Sequence, residues 1–259
     1  MLNRASKPFV KLVERYLPDP YIFVLLLTLI TFAFAVVIQN QSPLTTIQQW
    51  GDGFWGLLTF SMQMLLVLVT GFMLACTPLV KSLLERLASL AKSPGSAIVL
   101  VTLVSLIASW INWGFGLVVG ALFAKALARK VSVDYRLLVA SAYSGFIVWH
   151  GGLAGSVPLT IATPGHFSEA QIGVIGTGET IFSGFNLLLL AIMFVIIPLV
   201  NRLMLPPESE SIIVDSAKLQ DDALPSPTNE RPADKLENSK VLGLLVGFAG
   251  LAYLTNYFV

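Results

Sequence analysis

The stretch SWINWGFG (109–116) places a polar asparagine and two glycines inside an apolar run that covers residues 97–127. A helix that begins after Asn112 would direct its free N–H groups, the positive end of its dipole, toward the break. This pattern favours binding of a carboxylate or another small anion, although a tight turn between two short spans without a ligand is the alternative. The predicted binding residues of this stretch are Asn112, Trp113, Gly114 and Gly116.

A second polar interruption is WHGGLAGSVPLTIATPGH (149–166). A helix does not continue straight through Gly151–Gly152 and Pro158, so the pattern predicts a broken span that unwinds near His150. A histidine at this depth could bind an anion or relay a proton, and the alternative is a neutral histidine that hydrogen-bonds at a helix end. The predicted binding residues of this span are Ser144, His150, Gly151, Gly152 and Ser156.

The same residues allow an enzymatic alternative, an intramembrane hydrolase in which Ser156 is the nucleophile and His150 the base. No aspartate or glutamate lies in any predicted span to orient the histidine. The two histidines and the single Cys76 also lack the spacing of a metal site. We therefore expect no enzyme and no cofactor, while a channel and a non-transporting accessory subunit stay open as alternatives.

The elements that carry these residues are predicted to be membrane-spanning helices. The chain is 55% hydrophobic and 12% charged, with a mean hydropathy of +0.78, which is unlike a soluble domain. A span needs about 20 apolar residues. The predicted spans are Tyr21–Ile38, Phe54–Cys76, Leu137–Val157, Ile181–Val200 and Val241–Phe258. Residues 1–20 predict an amphipathic helix on the membrane surface, because their apolar and charged residues separate at helical spacing.

The placement of positive charge predicts how the spans are threaded. The connections 39–53 and 163–179 contain no lysine or arginine, as outer connections should. All 16 lysines and arginines fall on the cytoplasmic side if the run around Asn112 enters and leaves the membrane on the same side. Two full crossings would need about 40 residues. The sequence therefore predicts a re-entrant helical hairpin over 97–128 and a cytoplasmic N-terminus.

Four ordered motifs resemble the bacterial short-chain fatty acid transporter family, namely RYLPDP (15–20), WGDGFWGLLTFSMQMLLVLVTG (50–71), NWGFGLVVGALFAK (112–125) and HGGLAGSVPL (150–159). That family is similar to a wider superfamily of carboxylate carriers built from two inverted repeats, each with a re-entrant hairpin and a broken helix. The resemblance implies a secondary transporter that takes up butyrate, acetoacetate or related carboxylates across the inner membrane. It implies coupling to a proton or sodium gradient, contact with membrane lipids and no nucleic-acid partner.

The resulting fold class is an all-α polytopic membrane protein with an N-terminal amphipathic helix, about five spans and the hairpin. The resemblance assigns residues 21–204 to a first repeat, with a broken span at 137–160, and residues 241–259 to the first span of a second repeat. The Pro-, Ser- and acid-rich stretch 205–240 predicts a disordered cytoplasmic linker. Because family members are longer, we expect a truncated transporter whose second half comes from a partner or from another copy.

Overall fold

The computed structural model describes residues 6–10, 12–13, 20–56, 58–215, 219 and 239–258. All regular elements in these ranges are helices, so the chain is the all-α protein that the sequence predicts. The chain divides into two compact units, Met1–Leu219 and Gln220–Val259.

The first unit contains the elements around both polar interruptions. Its α-helices are α1 (Pro20–Val37), α2 (Pro43–Gly56), α3 (Leu58–Ala75), α4 (Pro78–Ala88), α5 (Pro94–Ile111), α6 (Trp113–Lys130), α7 (Tyr135–Ser144), α8 (Ser156–Ile161), α9 (Glu169–Ile172) and α10 (Gly184–Leu203). Its 3₁₀ helices are Gly145–Gly151 and Glu208–Glu210. The described part of the second unit is one helix, α11 (Lys240–Phe258).

Within the described residues, 3 helical segments are long and apolar enough to cross a membrane, namely Pro94–Ile111, the interrupted segment Tyr135–Ile161 and Gly184–Leu203. The pair Ser61–Ala75 and Pro78–Ala88, bent by 65°, would be a fourth span if it crosses as one unit. Helices α1 and α11 contain shorter apolar stretches. These spans define a polytopic membrane protein.

The apolar surface of the helices agrees with this class. Along α1, α3 and α10, many large apolar side chains are exposed rather than packed against protein. Patches of this extent are rare on soluble monomers, whereas lipid solvates them. The buried core lies instead around α5 and α6, where Ile98, Val101, Phe123 and Leu127 are fully enclosed.

The connection 39–53 differs from a simple loop, because α2 begins within it at Pro43. The hydroxyl of Ser42 accepts a hydrogen bond from the Thr45 N–H at 3.1 Å, and proline suits the first helical position. Helix α3 accordingly begins at Leu58, four residues after the predicted start of that span.

The N-terminal segment is helical at residues 6–10 and 12–13, within the region predicted to form an amphipathic surface helix. Its large apolar side chains are at least half exposed. Lys7 forms an ion pair with Glu210 at 2.7 Å. The remainder of the predicted surface helix, residues 1–5, 11 and 14–19, lies outside the described residues.

The first part of the predicted linker, residues 205–215, contacts the start of α7. The Ile212 N–H donates to Asp134 Oδ2 at 2.8 Å, and the Tyr135 N–H donates to the Ile212 carbonyl at 2.9 Å. Asp134 is buried and also accepts a hydrogen bond from the Leu137 N–H at 2.9 Å. This stretch is therefore docked, whereas the sequence predicted disorder; residues 216–218 and 220–238 lie outside the described residues.

Candidate functional site

Helices α5 and α6 are separated by a single residue, Asn112. Its backbone is extended (φ −155°, ψ 125°), and its side-chain oxygen accepts a hydrogen bond from the Phe115 N–H at 3.0 Å. Asn112 thus ends α5 and caps α6, which is a favoured role for asparagine. The polar residue that stood out in the sequence is the turn of a helical hairpin.

Two glycines of α6 allow the arms of this hairpin to pack closely. A Cβ added at Gly116 would lie 2.5 Å from the backbone N and Cα of Ser109, and one added at Gly120 would lie 3.0 Å from Ser105 Oγ. These pairs run in opposite directions along the two helices, so the arms are antiparallel. Gly116 therefore has a packing role that a larger residue would disturb.

Gly114 makes a similar close approach to α3. A Cβ at Gly114 would lie 3.2 Å from Leu68 Cα, and one at Gly71 would lie 2.7 Å from the Phe115 backbone N. Helix α3 and the first turn of α6 therefore meet backbone to backbone. Gly114 is buried in this contact.

The second interruption lies where the span that begins with α7 loses its α-helical hydrogen bonding. The chain passes into the 3₁₀ helix Gly145–Gly151, is non-helical at 152–155, and resumes as α8. The Leu153 N–H donates to the Trp110 carbonyl at 2.7 Å, and a Cβ at Gly152 would lie 3.0 Å from the Trp110 carbonyl carbon. The break in this span therefore contacts the last turn of α5, beside Asn112.

Aromatic rings join the hairpin turn to the broken span. The ring centroids of Trp113 and Trp149 are 5.6 Å apart, and those of Phe146 and Trp149 are 4.9 Å apart. His150 stacks on Trp149 at 4.1 Å and is exposed. The structure thus brings Trp113 and His150 together on Trp149, and it packs Gly152 against the end of α5 beside Asn112. Gly114 and Gly116 instead pack against α3 and against Ser109, and Gly151 contacts Asn186.

Asn186, in the first turn of α10, holds the broken span in place. Its side-chain amide donates to the Gly151 carbonyl at 3.0 Å and to the Ile181 carbonyl at 2.7 Å. These bonds satisfy a carbonyl that leaves the helical pattern at the break. The sequence analysis missed this residue, and its signal is a lone amide in the first turn of an apolar span.

Ser144 lies in a different buried cluster. Asn201 Nδ2 donates to Ser144 Oγ at 2.8 Å and to Thr102 Oγ1 at 3.0 Å. Thr102 is ten residues before Asn112, which corresponds to about 15 Å along the helix. This cluster joins α5, α7 and α10, and the structure does not bring Ser144 to the hairpin turn.

Five buried side-chain polar atoms have no hydrogen-bond partner in the part of the chain that the structure describes: Gln41 Oε1, Ser109 Oγ, Ser141 Oγ, Trp149 Nε1 and Ser156 Oγ. Buried polar groups are nearly always paired, so unpaired ones call for a partner. The hydroxyls of Ser109 and Ser156 and the indole N–H of Trp149 can each donate a hydrogen bond. Ser109 and Trp149 were not among the predicted binding residues, and Ser156 has no bond to His150 that would form a nucleophile–base pair.

A hairpin that turns at a capped polar residue, packed against a broken span within a lipid-suited helical bundle, is typical of membrane transporters. A family profile described as "Short chain fatty acid transporter" matches residues 1–259. The chain belongs to this family, as the resemblance of its motifs indicated. Because the family is one of transporters, the enzymatic alternative is excluded.

Two curated relatives carry the name "Putative short-chain fatty acid transporter". The Escherichia coli K12 protein is 46% identical over 262 residues, and the Haemophilus influenzae protein is 41% identical over 273 residues. Each alignment covers 100% of this chain and 60% of the relative, so the chain spans three-fifths of the relatives' length. No solved structure matches the chain.

Proposed function

We propose that this chain forms part of a secondary transporter for short-chain carboxylates such as butyrate and acetoacetate, driven by a proton or sodium gradient. We further propose that the substrate carboxylate binds between the hairpin turn at Asn112 and the broken span. The observation that carries this proposal is the direct contact between these two elements, with unpaired buried donors beside it.

The first turn of α6 supplies a favourable electrostatic environment for an anion. The N–H groups of Trp113 and Gly114 have no helical acceptor, and the dipole of the helix favours negative charge at this end. The indole N–H of Trp149 is a donor without acceptor capacity, so it can pair with a carboxylate but not with a cation. These N–H donors fit a ligand that has a carboxylate and few other polar atoms.

The aromatic rings fit the remainder of such a substrate. Trp113, Phe146 and Trp149 form a continuous apolar wall beside the donors. Small-molecule sites combine such apolar walls with a few directed polar groups. His150 stacks on this wall, and we propose that it adds positive charge or relays a proton when it is protonated.

Ion pairs at the opposite end of the helices support a location in the inner membrane with a cytoplasmic N-terminus. Lys130 pairs with Glu85 at 3.1 Å, Lys7 pairs with Glu210 at 2.7 Å, and a Cβ at Gly95 would lie 3.3 Å from the Arg202 side chain. The basic clusters thus gather where α5 begins and α6 ends, as the positive-inside rule requires of a cytoplasmic face.

The lengths of the two hairpin arms indicate how deep in the membrane the turn at Asn112 lies. The two arms have 18 residues each, and such a helix is about 27 Å long. Upright arms of this length would carry Asn112 beyond the middle of a core about 30 Å thick. Helix α5 is also long and apolar enough to cross the core. We propose that tilt of the arms keeps the turn within the outer half of the membrane, as a re-entrant hairpin requires.

The chain spans 60% of the length of its two curated relatives, so we propose where the rest of the transport pathway comes from. We propose that the second half of the binding site comes from an inverted second repeat, a partner chain or another copy of this chain. The test is uptake of labelled butyrate by cells that lack their own carriers. Cells expressing this chain are compared with cells expressing it joined to the remaining part of the Escherichia coli relative.

Variants of Asn112 test the proposed binding site. They are made in this chain or in the joined chain, depending on which of the two takes up butyrate. Asn112→Asp retains a good helix cap but places negative charge where the carboxylate would bind. Two like charges about 4 Å apart repel by about 4 kcal/mol at an effective dielectric constant of 20. We expect Asn112→Asp to weaken butyrate binding at least about tenfold while the protein still folds, and Asn112→Ala to weaken it less.

Thr77→Ala is the matched control, because Thr77 caps α4 through the Val80 N–H at 3.4 Å and is not part of the proposed site. Loss of either cap costs about 1 kcal/mol of stability, so Asn112→Ala and Thr77→Ala should destabilise to a similar extent. Unchanged butyrate binding by folded Asn112→Asp would refute the proposed site. Uptake by no form of the protein would refute the transport proposal.

A further inference from the structure

A groove follows the seam between α6 and α7, and one of its wall residues, Tyr143, stacks on Phe146 with ring centroids 6.0 Å apart. Its volume is about 230 Å³. Its walls include the apolar side chains of Leu117 and Ala121 on one helix and Val139 and Tyr143 on the other. Val139 and Tyr143 are 45% and 65% exposed, so the groove is open at the surface of the described helices.

Lys125 contributes the charge of this groove. It is the single charged residue in the sequence between Pro94 and Ala128, and it lines the groove together with Tyr135. Lys125 precedes Arg129 by four residues, which corresponds to about 6 Å along α6. Its ammonium group therefore lies near the basic end of the helices, within reach of the headgroup region.

We propose that this groove binds an anionic phospholipid, with the lipid phosphate at Lys125 and part of one acyl chain between Ala121 and Val139. The cationic end and the apolar walls match the two parts of such a lipid in the same order. The volume is smaller than that of typical sites enclosing a whole small molecule, about 300–1,000 Å³, and suits part of a chain. The lipid would bridge an arm of the hairpin and the broken span.

The experiment is native mass spectrometry of the purified full chain in detergent, titrated with phosphatidylglycerol or phosphatidylcholine that carry identical acyl chains. We expect the unmodified protein to bind phosphatidylglycerol more tightly. Lys125→Gln should weaken phosphatidylglycerol binding about fivefold, a typical effect of one lysine near an anionic headgroup, and leave phosphatidylcholine binding unchanged.

Two further variants separate the groove from general attraction to charge. Lys92→Gln removes an exposed lysine from the connection between α4 and α5 and should leave binding of both lipids unchanged. Ala121 lines the groove and is exposed, so Ala121→Phe would place a large side chain in the groove without a change in charge. This variant should weaken binding of both lipids.

The lipid-binding results test the groove separately from the proposed butyrate transport. If folded Lys125→Gln keeps the full preference for phosphatidylglycerol, the groove is not a headgroup site. If Lys92→Gln loses the preference to the same extent, the attraction is non-specific and the proposal is wrong. A thermal melt of each variant distinguishes these outcomes from misfolding, and Ala121→Phe tests the groove even where Lys125→Gln does not fold.

Discussion

Replacement of Gly152 by alanine tests the contact on which the candidate site depends. The backbone of Gly152 is extended (φ −96°, ψ 176°), a conformation that alanine adopts freely. The added Cβ, however, would lie 3.0 Å from both the carbonyl carbon and Cα of Trp110. Carbon atoms attract best at about 3.5–4.0 Å, so the two backbones must separate by at least about 0.5 Å.

This separation should be costly, because backbone atoms on both sides are fixed within packed elements. Overpacking of this kind costs about 1–3 kcal/mol. The hydrogen bond from the Leu153 N–H to the Trp110 carbonyl, 2.7 Å long, would also lengthen, at a cost of about 1 kcal/mol. We expect Gly152→Ala to lower the free energy of unfolding by about 2–4 kcal/mol and to weaken butyrate binding.

The assay is reversible denaturation of the purified protein in detergent, followed by butyrate titration at a temperature where the variant is folded. Gly176→Ala is the matched control, because a Cβ at Gly176 meets no atom within 4 Å. Its effect should stay within about 0.5 kcal/mol. If Gly152→Ala proves as stable as Gly176→Ala, the close contact between the break and α5 does not exist and the argument for the site fails.

Two further predictions concern buried polar groups. Burial raises the pKa of Asp134, but hydrogen bonds from Arg136, the Ile212 N–H and the Leu137 N–H outweigh it and lower the pKa below the ordinary value. The stabilisation from Asp134 should therefore be complete above a pH of about 3.9 and disappear as pH falls through the lower folded pKa, and melting curves of Asp134→Asn should lack this dependence. Asn201→Ala removes two hydrogen bonds and should cost about 1–3 kcal/mol in chemical denaturation; a change below about 0.5 kcal/mol would show that the cluster contributes no net stability.

Much of the helical architecture follows from local features of the sequence. The apolar runs predict where the long helices lie, and the placement of Asn112 in such a run predicts the break between α5 and α6. The pair Gly151–Gly152 similarly predicts the non-helical stretch at 152–155, but it does not predict that the α-helix already gives way to a 3₁₀ helix at Gly145. These features act through the backbone within a few residues, so no knowledge of distant neighbours is needed to recognise them.

The partners of the site residues could not be predicted, because they come from distant parts of the chain. Asn186 holds the carbonyl of Gly151 across 35 residues, and Asn201 reaches Ser144 across 57. An amide in an apolar helix predicts some buried hydrogen bond but does not identify the acceptor. For the same reason, the sequence grouped Ser144 with the binding residues, whereas tertiary packing surrounds it with another helix.

The docked stretch 205–215 shows a different limit. Its composition is polar and proline-rich, which predicts disorder because little apolar surface is available for burial. Its contact with α7 depends on backbone hydrogen bonds to Asp134, a side chain that already caps the helix. Composition does not report such pairing, since any residue except proline can supply the same N–H group.

The close contacts at Gly71, Gly116 and Gly152 have a mechanical consequence for the transport proposed above. A side chain between two helices can change rotamer and absorb a small displacement, whereas two backbones in contact transmit it. Helix α3, both arms of the hairpin and the broken span should therefore move as one rigid block. The aromatic rings of Trp113 and Trp149 are the adjustable parts of this block. We therefore expect substitutions of these rings to change the acyl-chain length that the proposed site prefers, and substitutions in the helices that carry them to leave it unchanged.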